Sequence, residues 1–290
     1  MNDLEEQLYN LVVEASTNLP KDVEKALYCG LQQEAEGSAA EAALKAIVEN
    51  IGLARTRRQP LCQDTGTLIF HVWIPQDVTF SQAKFRQTLE AAVVRATEEG
   101  VLRQNSVCPL TGKNSGNNLG PGAPFIHYHQ GKKGSDVKVT LMLKGGGSEN
   151  VGVQYSLPDK SIDAGRDVDG VKKCIIDAVL KAQGKGCSPG ILSVVVGGDR
   201  ATGYEQSKEQ LLREVGSENP DADLNALEKE MLEKANSLDI GPMGLGGKTT
   251  VLDVFIGKRN RVPASYFVTI SYMCWAFRRR SVSFSTKLLK

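Results

Sequence analysis

The segment ILSVVVGGD, residues 191–199, restricts the fold most, because it is an almost unbroken apolar run that ends at two glycines and an aspartate. Such a run is typical of a strand that is buried on both faces of its sheet. The segment before it, residues 167–183, carries apolar side chains at helical spacing. The pair therefore predicts a sheet that is flanked by helices.

The remaining segments place helices at the N-terminus and strands further along the chain. Apolar residues recur at helical spacing from Leu4 to about Leu53. A helix is predicted to begin at Ser81, a good N-cap residue, and to end near Gly100. Two further helical segments are predicted within residues 207–236. Strands are predicted at residues 67–74, 125–130, 136–144, 249–257 and 264–277, the last two in an exposed or half-buried sheet.

These elements predict one mixed α/β (α+β) domain that extends over residues 1–290. Its helical part covers about residues 1–55, and a mixed β-sheet flanked by helices covers about residues 56–290. The sequence contains no internal repeat and no low-complexity linker that would divide it.

The charge balance argues against two classes of partner. Lys and Arg number 35 against 34 Asp and Glu, so the net charge of +1 gives no electrostatic basis for binding nucleic acid or an anionic membrane surface. The N-terminal segment is acidic where a signal peptide would be basic, and no window holds 18 uninterrupted apolar residues. We expect a cytoplasmic protein.

Three of the six cysteines lie in settings that suggest no specific chemistry. Cys29 and Cys174 fall on helical segments, where a buried thiol that packs as a small apolar group is the expected role. Cys108 lies in the polar segment 103–124, which is too rich in Asn, Gly, Ser and Pro for regular structure. Its role is left open.

The other three cysteines, Cys62, Cys187 and Cys274, stand beside polar turns at the ends of predicted strands. Each is either a small residue that fits its surroundings or a metal ligand. Their wide spacing does not suit zinc, which usually gathers four ligands in close pairs. Three thiolates suit an iron–sulfur cluster that keeps one iron open to substrate.

Two polar segments near these cysteines have both a structural and a functional interpretation. Asp64-Thr65-Gly66 follows Cys62 directly and is either an ordinary turn or part of a site. The segment GGGS, residues 145–148, is either only a tight turn or a glycine run that turns successive backbone N–H groups towards an anion.

Five motifs together resemble the class I, oxygen-sensitive fumarases and the related L(+)-tartrate dehydratases, specifically their α subunit. They are PLCQDTGT, KGGGSEN, GCSPGILSVVVGGD, DIGPMGLGG and CWAFRRR. The resemblance extends over about residues 10–280, with the motifs in the same order. It implies a hydro-lyase that adds or removes water on a C4 dicarboxylate, either fumarate and malate or L-tartrate and oxaloacetate.

The resemblance also implies the composition of the site. Cys62, Cys187 and Cys274 would hold a [4Fe–4S] cluster whose open iron is a Lewis acid for the departing hydroxyl group. The substrate would contact Gln63, Asp64, Arg103, Gly146 and Gly147, and Asp64 would also have a catalytic role. Arginine and N–H donors suit a dicarboxylate.

The chain departs from the family pattern at one position. Relatives carry a histidine 12 residues before the third cluster cysteine, and this position is Val262 here. The substitution leaves open which dicarboxylate is preferred. The three histidines, His71, His127 and His129, lie in predicted strands, and we expect structural roles for them.

Single-chain class I fumarases carry a catalytic threonine, further arginines and a lysine in a C-terminal domain, and nothing similar occurs in these 290 residues. The resemblance therefore implies a β subunit that supplies the rest of the site, in an α2β2 heteromer. The strands around residues 264–277 are the candidates for lying near the subunit interface. The alternative function is a non-catalytic iron–sulfur redox or sensor protein, although electron carriers generally use four protein ligands.

Overall fold

The computed structural model describes residues 3–134 and 136–285. The ends of the predicted domain, residues 1–2 and 286–290, lie outside the described residues. The helices are α1 Asp3–Thr17, α2 Lys21–Gln33, α3 Ala39–Arg57, α4 Gln82–Glu98, α5 Gly146–Asn150, α6 Val168–Ala182, α7 Arg200–Gln210 and α8 Ala222–Asn236. The strands are β1 Thr67–Ile74, β2 Phe125–Gln130, β3 Asp136–Lys144, β4 Val153–Ser156, β5 Gly190–Gly197, β6 Val251–Arg259, β7 Phe267–Met273 and β8 Arg278–Ser285.

The predicted mixed α/β class is confirmed, and within the described residues the strands form two sheets of four strands each. The contacts separate the chain into two compact units. The first contains the residues up to 20, from 50 to 145 and from 276 onwards, and the second contains residues 21–49 and 146–275. The single domain stays a prediction.

The first unit is a sheet with helices on one face. Its strand order is β2-β1-β3-β8, with β1 and β2 parallel and the other neighbours antiparallel. Because side chains alternate along a strand, Leu68, Phe70 and Val72 of β1 all enter one core with apolar residues of α1 and α4. The helix α4 begins after Ser81, whose hydroxyl accepts from the N–H of Lys84, so the predicted N-cap is confirmed.

The opposite face of this sheet carries all three histidines. His71 of β1 is 2% exposed, and its ring stacks with those of His127 and His129 of β2. Its Nδ1 lies 2.9 Å from Nε2 of His129, while its Nε2 has no hydrogen-bond partner among the described residues. This packing within the sheet agrees with the structural role that we expected.

The stability of the protein is expected to fall in mild acid because of His71. Burial, with smaller effects from His127 and His129, lowers the pKa of His71 to about 3. Below a pH of about 6.5 the His71 imidazole therefore binds a proton in the unfolded chain but stays neutral in the folded chain. The free energy of unfolding consequently falls by up to ~1.4 kcal/mol per pH unit between about pH 6.5 and pH 3. Urea unfolding at pH 7, 6 and 5 should give a flatter decline for His71→Gln. Equal slopes for the two proteins would contradict this origin.

The second unit is a sheet covered on both faces. Its order is β4-β7-β5-β6, with β5 and β6 parallel. Apolar residues of α6 and α8 form the core on one face with Leu192 and Val194 of β5. On the other face Ser207 of α7 shares a buried hydrogen bond of 2.7 Å with Ser271 of β7. The prediction that β5 is buried on both faces is therefore confirmed.

Four details of the sequence prediction are wrong. The helix expected from residue 207 begins at Arg200, where the Asp199 carboxylate accepts from the N–H groups of Ala201 and Thr202. Strands β4 and β8 were not predicted. The central strand β7 is buried rather than exposed or half-buried. The position of these strands near a subunit interface stays a prediction. No described helix is both long and apolar enough to cross a membrane. The cellular location stays a prediction.

Candidate active site

The segment from Cys62 to Gly66 lies in the first unit, directly before β1. Oδ1 of Asp64 accepts a hydrogen bond of 2.9 Å from the N–H of Gly66, so the turn that the sequence suggested is formed. Gly66 has a φ of +80°, and a Cβ atom there would lie 2.7 Å from the carbonyl carbon and oxygen of Lys144. Only glycine fits, because a side chain would meet both the unfavourable φ and the end of β3.

The loop 103–124 is fastened to this turn by hydrogen bonds. Oγ1 of Thr65 accepts from the N–H of Arg103 at 3.2 Å and from Nδ2 of Asn105 at 3.0 Å. Nη1 of Arg103 donates to the carbonyl oxygen of Gln63 at 3.3 Å. The first unit therefore brings together Gln63, Asp64 and Arg103, three of the residues that the sequence assigned to substrate binding.

Asn118 orders the loop, and the sequence reasoning missed it. It is 3% exposed and has a left-handed φ of +62°. Its Nδ2 donates to the carbonyl oxygen of Arg103 at 2.8 Å, and its Oδ1 accepts from the N–H of Asn105 at 2.7 Å. Asparagine is enriched in the left-handed region, but the sequence does not indicate which of several loop asparagines is buried.

Two buried cations border the same turn, Arg278 through a hydrogen bond and Lys144 through its main chain, and the sequence reasoning singled out neither. Arg278, the first residue of β8, is 1% exposed and donates from Nη2 to the carbonyl oxygen of Asp64 at 2.8 Å. Lys144, at the end of β3, is 2% exposed. The available signal was the position of each residue inside a motif, KGGGSEN or CWAFRRR, although charged residues are usually exposed.

Cys187 and Cys274 lie together in the second unit. Cys187 follows a short 3-10 turn, Gln183–Gly186, and has a left-handed φ of +55°. Its carbonyl oxygen accepts from the N–H of Trp275 at 3.2 Å, so the loop is joined to the residue after Cys274. Cys187 is half-buried, and Cys274 is 8% exposed.

The ring of Tyr272 packs against the same loop. A Cβ atom on Gly186 would lie 2.5 Å from this ring, and one on Gly190 would lie 2.2 Å from it, so both positions need glycine. Burial raises the pKa of Tyr272, with smaller contributions from the neighbouring thiols of Cys274 and Cys187. The phenol therefore stays neutral and gives the two thiols an uncharged neighbour.

Gly146 and Gly147 are exposed and form the first residues of the short helix α5. The glycine run thus continues as a single helical turn, and its proposed role in directing N–H groups towards an anion stays a prediction. A Cβ atom on Gly147 would lie 3.5 Å from the carbonyl oxygen of Lys185. The second unit thus places these glycines beside the loop that leads into Cys187.

The predicted ligand set is divided between the units, with Cys62 in the first and the other two cysteines in the second. Across residues 3–134 and 136–285, no three His, Cys, Asp or Glu side chains are grouped so as to hold a metal ion. The three-cysteine set stays a prediction.

The two helical cysteines were both expected to be buried. Burial raises the pKa of the Cys174 thiol to about 12, as expected for a core cysteine. Cys29 is exposed, so the prediction that it is buried is wrong.

Val262 lies at the opposite end of β7 from Cys274. Its side chain is 64% exposed, in the connection between β6 and β7. A seven-residue strand spans roughly 23 Å. A residue at position 262 therefore does not lie beside Cys274 within the second unit.

Known proteins similar to this chain were found over nearly its whole length. A putative fumarate hydratase class I from Geobacillus stearothermophilus is 48% identical over 285 residues, which are 97% of this chain and 55% of that protein. A putative L(+)-tartrate dehydratase subunit alpha from Methanocaldococcus jannaschii is 37% identical, over 92% of both chains. The L(+)-tartrate dehydratase subunit alpha of Escherichia coli is 28% identical, over 96% of this chain and 90% of its own length.

The chain thus spans about half of the Geobacillus protein and most of the two α subunits. The family model described as fumarate hydratase (Fumerase) matches residues 5–283. This match extends over both compact units and all five motifs on which the resemblance was based. The predicted family is therefore confirmed, and the chain belongs to the fumarate hydratase family.

Proposed function

We propose that this chain is the cluster-binding part of a hydro-lyase that reversibly adds or removes water on a C4 dicarboxylate. The observation that carries the proposal is the family match over residues 5–283. The names of the relatives, fumarate hydratase and L(+)-tartrate dehydratase, support the same reaction class. The substrate is fumarate and malate or L-tartrate and oxaloacetate.

Cys62, Cys187 and Cys274 are the proposed ligands of a [4Fe–4S] cluster. The donor set fits this group, because thiolates are its usual ligands and three of them leave one iron open. The half-buried Cys187, the buried Cys274 and the neutral Tyr272 beside them provide a sheltered surrounding for such a cluster. When bound, the cluster supplies a Lewis acid that assists departure of the hydroxyl group.

Gln63, Asp64 and Arg103 are the proposed substrate contacts of the first unit. The Arg103 guanidinium provides planar N–H donors that suit a carboxylate group. The Asp64 carboxylate has a fixed orientation, because Gly66 donates to its Oδ1 at 2.9 Å. We propose that the Asp64 carboxylate accepts a hydrogen bond from the catalytic hydroxyl group and thereby orients that hydroxyl. Gly146 and Gly147 of the second unit are the proposed backbone contacts to the substrate.

The proposed partner is a β subunit that supplies the remaining catalytic groups in an α2β2 heteromer. Two of the relatives are named as α subunits, which supports a separate partner chain. The Geobacillus relative is almost twice as long as its matched region, so that chain has room for a second part of similar size.

An assay of the anaerobically purified protein tests this function. The chain is produced alone and together with a β subunit of an L(+)-tartrate dehydratase, and its cluster is verified by absorbance. Fumarate hydration and dehydration of malate and of both tartrates are then measured. We expect turnover with at least one dicarboxylate by the complex only. A cluster-loaded complex without turnover on any of them would reject the proposed reaction, and sustained turnover by the chain alone would reject the need for a partner.

A further inference from the structure

Arg278 is an unusual residue for the interior of a protein. It begins β8, where it pairs with Leu143 of β3, and its side chain is one of the largest that are fully buried. Burying a guanidinium group is unfavourable unless hydrogen bonds and a counter-charge compensate it. Its surroundings should therefore indicate what it does.

The hydrogen bonds of Arg278 all go to backbone carbonyl groups. Nη2 donates to the oxygen of Asp64 at 2.8 Å, and Nε donates to the oxygen of Ala276 at 3.3 Å. Nη1 is buried and has no partner in the described part of the chain. Among the described residues, no carboxylate forms an ion pair with the Arg278 guanidinium.

The hydrogen bond from Arg278 restrains the main chain of Asp64, whose side chain is already restrained. Its side chain accepts from the Gly66 N–H, and Gly66 in turn is pressed against the backbone of Lys144. Arg278 holds the carbonyl group of Asp64 with a charge-assisted hydrogen bond. Without this bond the peptide after Asp64 would gain freedom to rotate, and the direction of the carboxylate would change with it.

The positive charge of Arg278 points to an anionic ligand near the turn. A neutral donor could hold a carbonyl oxygen equally well, without the free energy needed to bury a charge. A dicarboxylate substrate, as proposed above, has the charge that would compensate such a site.

We propose that Arg278 is a positioning residue, whose buried guanidinium fixes the main chain of Asp64 and thereby aims the Asp64 carboxylate at a bound dicarboxylate. The inference rests on the proposed function. Arg278 acts through Asp64, and the two residues form one functional unit.

The test measures kcat/KM of the cluster-loaded complex for three single variants, Arg278→Gln, Arg278→Lys and Asp64→Asn. A double variant that combines Asp64→Asn and Arg278→Gln is measured in the same way. Arg280→Gln is the matched control, because Arg280 lies two residues further along β8 and contacts Glu14 at a distance of 3.7 Å. Activity is expressed per cluster, so a loss of loaded protein does not enter the comparison. Hydrogen exchange of peptides within residues 60–68 gives a second measurement that needs no turnover.

We expect Arg278→Gln to lower kcat/KM at least about tenfold and Arg278→Lys to recover part of the loss, while Arg280→Gln stays near the parent value. The double variant should be no worse than Asp64→Asn alone, because groups that act as a unit are not additive. Exchange within residues 60–68 should be faster in the two proteins that carry Arg278→Gln and unchanged in Asp64→Asn and Arg280→Gln. Parental kcat/KM in both Arg278 variants, or a double variant whose loss equals the product of the single losses, would overturn the proposal.

Absence of turnover in the parent complex would instead reject the proposed function. The hydrogen-exchange result would still decide whether Arg278 fixes the turn.

Discussion

Cys187→Ser protein, purified without oxygen, is expected to contain almost no iron, against about four atoms per chain in the parent protein. A serine hydroxyl is a much poorer ligand for iron than a thiolate, and only three protein ligands hold the proposed cluster. Removing one leaves two, which cannot retain it. Cys62→Ser and Cys274→Ser should have the same effect. Iron content and the cluster absorbance are measured on each protein.

Two exposed cysteines provide matched controls for this experiment. Cys29 lies on α2, and Cys108 lies in the loop 103–124. The Thr111 hydroxyl, assisted by the N–H groups of Thr111 and Leu110, lowers the pKa of the Cys108 thiol, so this thiol is more easily deprotonated than an ordinary cysteine. Serine at either position should leave the iron content unchanged. Full iron in Cys187→Ser, or its loss in Cys29→Ser, would show that the ligands are assigned incorrectly.

Asp64→Asn is expected to keep the cluster but to reduce kcat/KM by about 10² to 10³, because the site loses a charge-assisted contact where charge develops. Asparagine is nearly the same size, and its Oδ1 can still accept from the Gly66 N–H, so the turn should survive. The effect can therefore be attributed to the carboxylate charge rather than to a collapsed loop.

Arg103→Ala should give a loss of similar size, with a larger share in KM, since its guanidinium is proposed to bind a substrate carboxylate. Lys113→Ala, an exposed cation in the same loop, is the control and should stay near the parental value. Near-parental kcat/KM for both Asp64→Asn and Arg103→Ala would remove these two residues from the site.

Sequence patterns correctly predicted the features that depend only on interactions between residues close together in the chain. Ser81 as an N-cap depends only on its own hydroxyl and the next turn of the helix. The turn at Asp64 depends on a side chain and an N–H group two residues away. The five motifs were sufficient to identify the family, because each is short, specific and in a fixed order along the chain.

Other features required the packed structure. Strand β8 was missed because its arginine-rich beginning does not read as a strand, and only its pairing with β3 makes it one. The burial of β7 was misjudged because the polar residues Thr269 and Ser271 alternate along it, yet they face α7 rather than solvent. A pattern of alternation gives the two faces of a strand, but it does not give what covers each face.

The amino-acid sequence by itself thus determined the family, the mixed α/β class and the position of the Cys62–Gly66 turn along the chain. Only the tertiary structure decided that Asn118, Lys144 and Arg278 are buried beside that turn. The physical reason is sequence separation: the hydrogen bond from Arg278 to Asp64 joins residues 214 positions apart. Whether a polar side chain is buried and partnered depends on such distant contacts, and neither its type nor its neighbours in the sequence specify them.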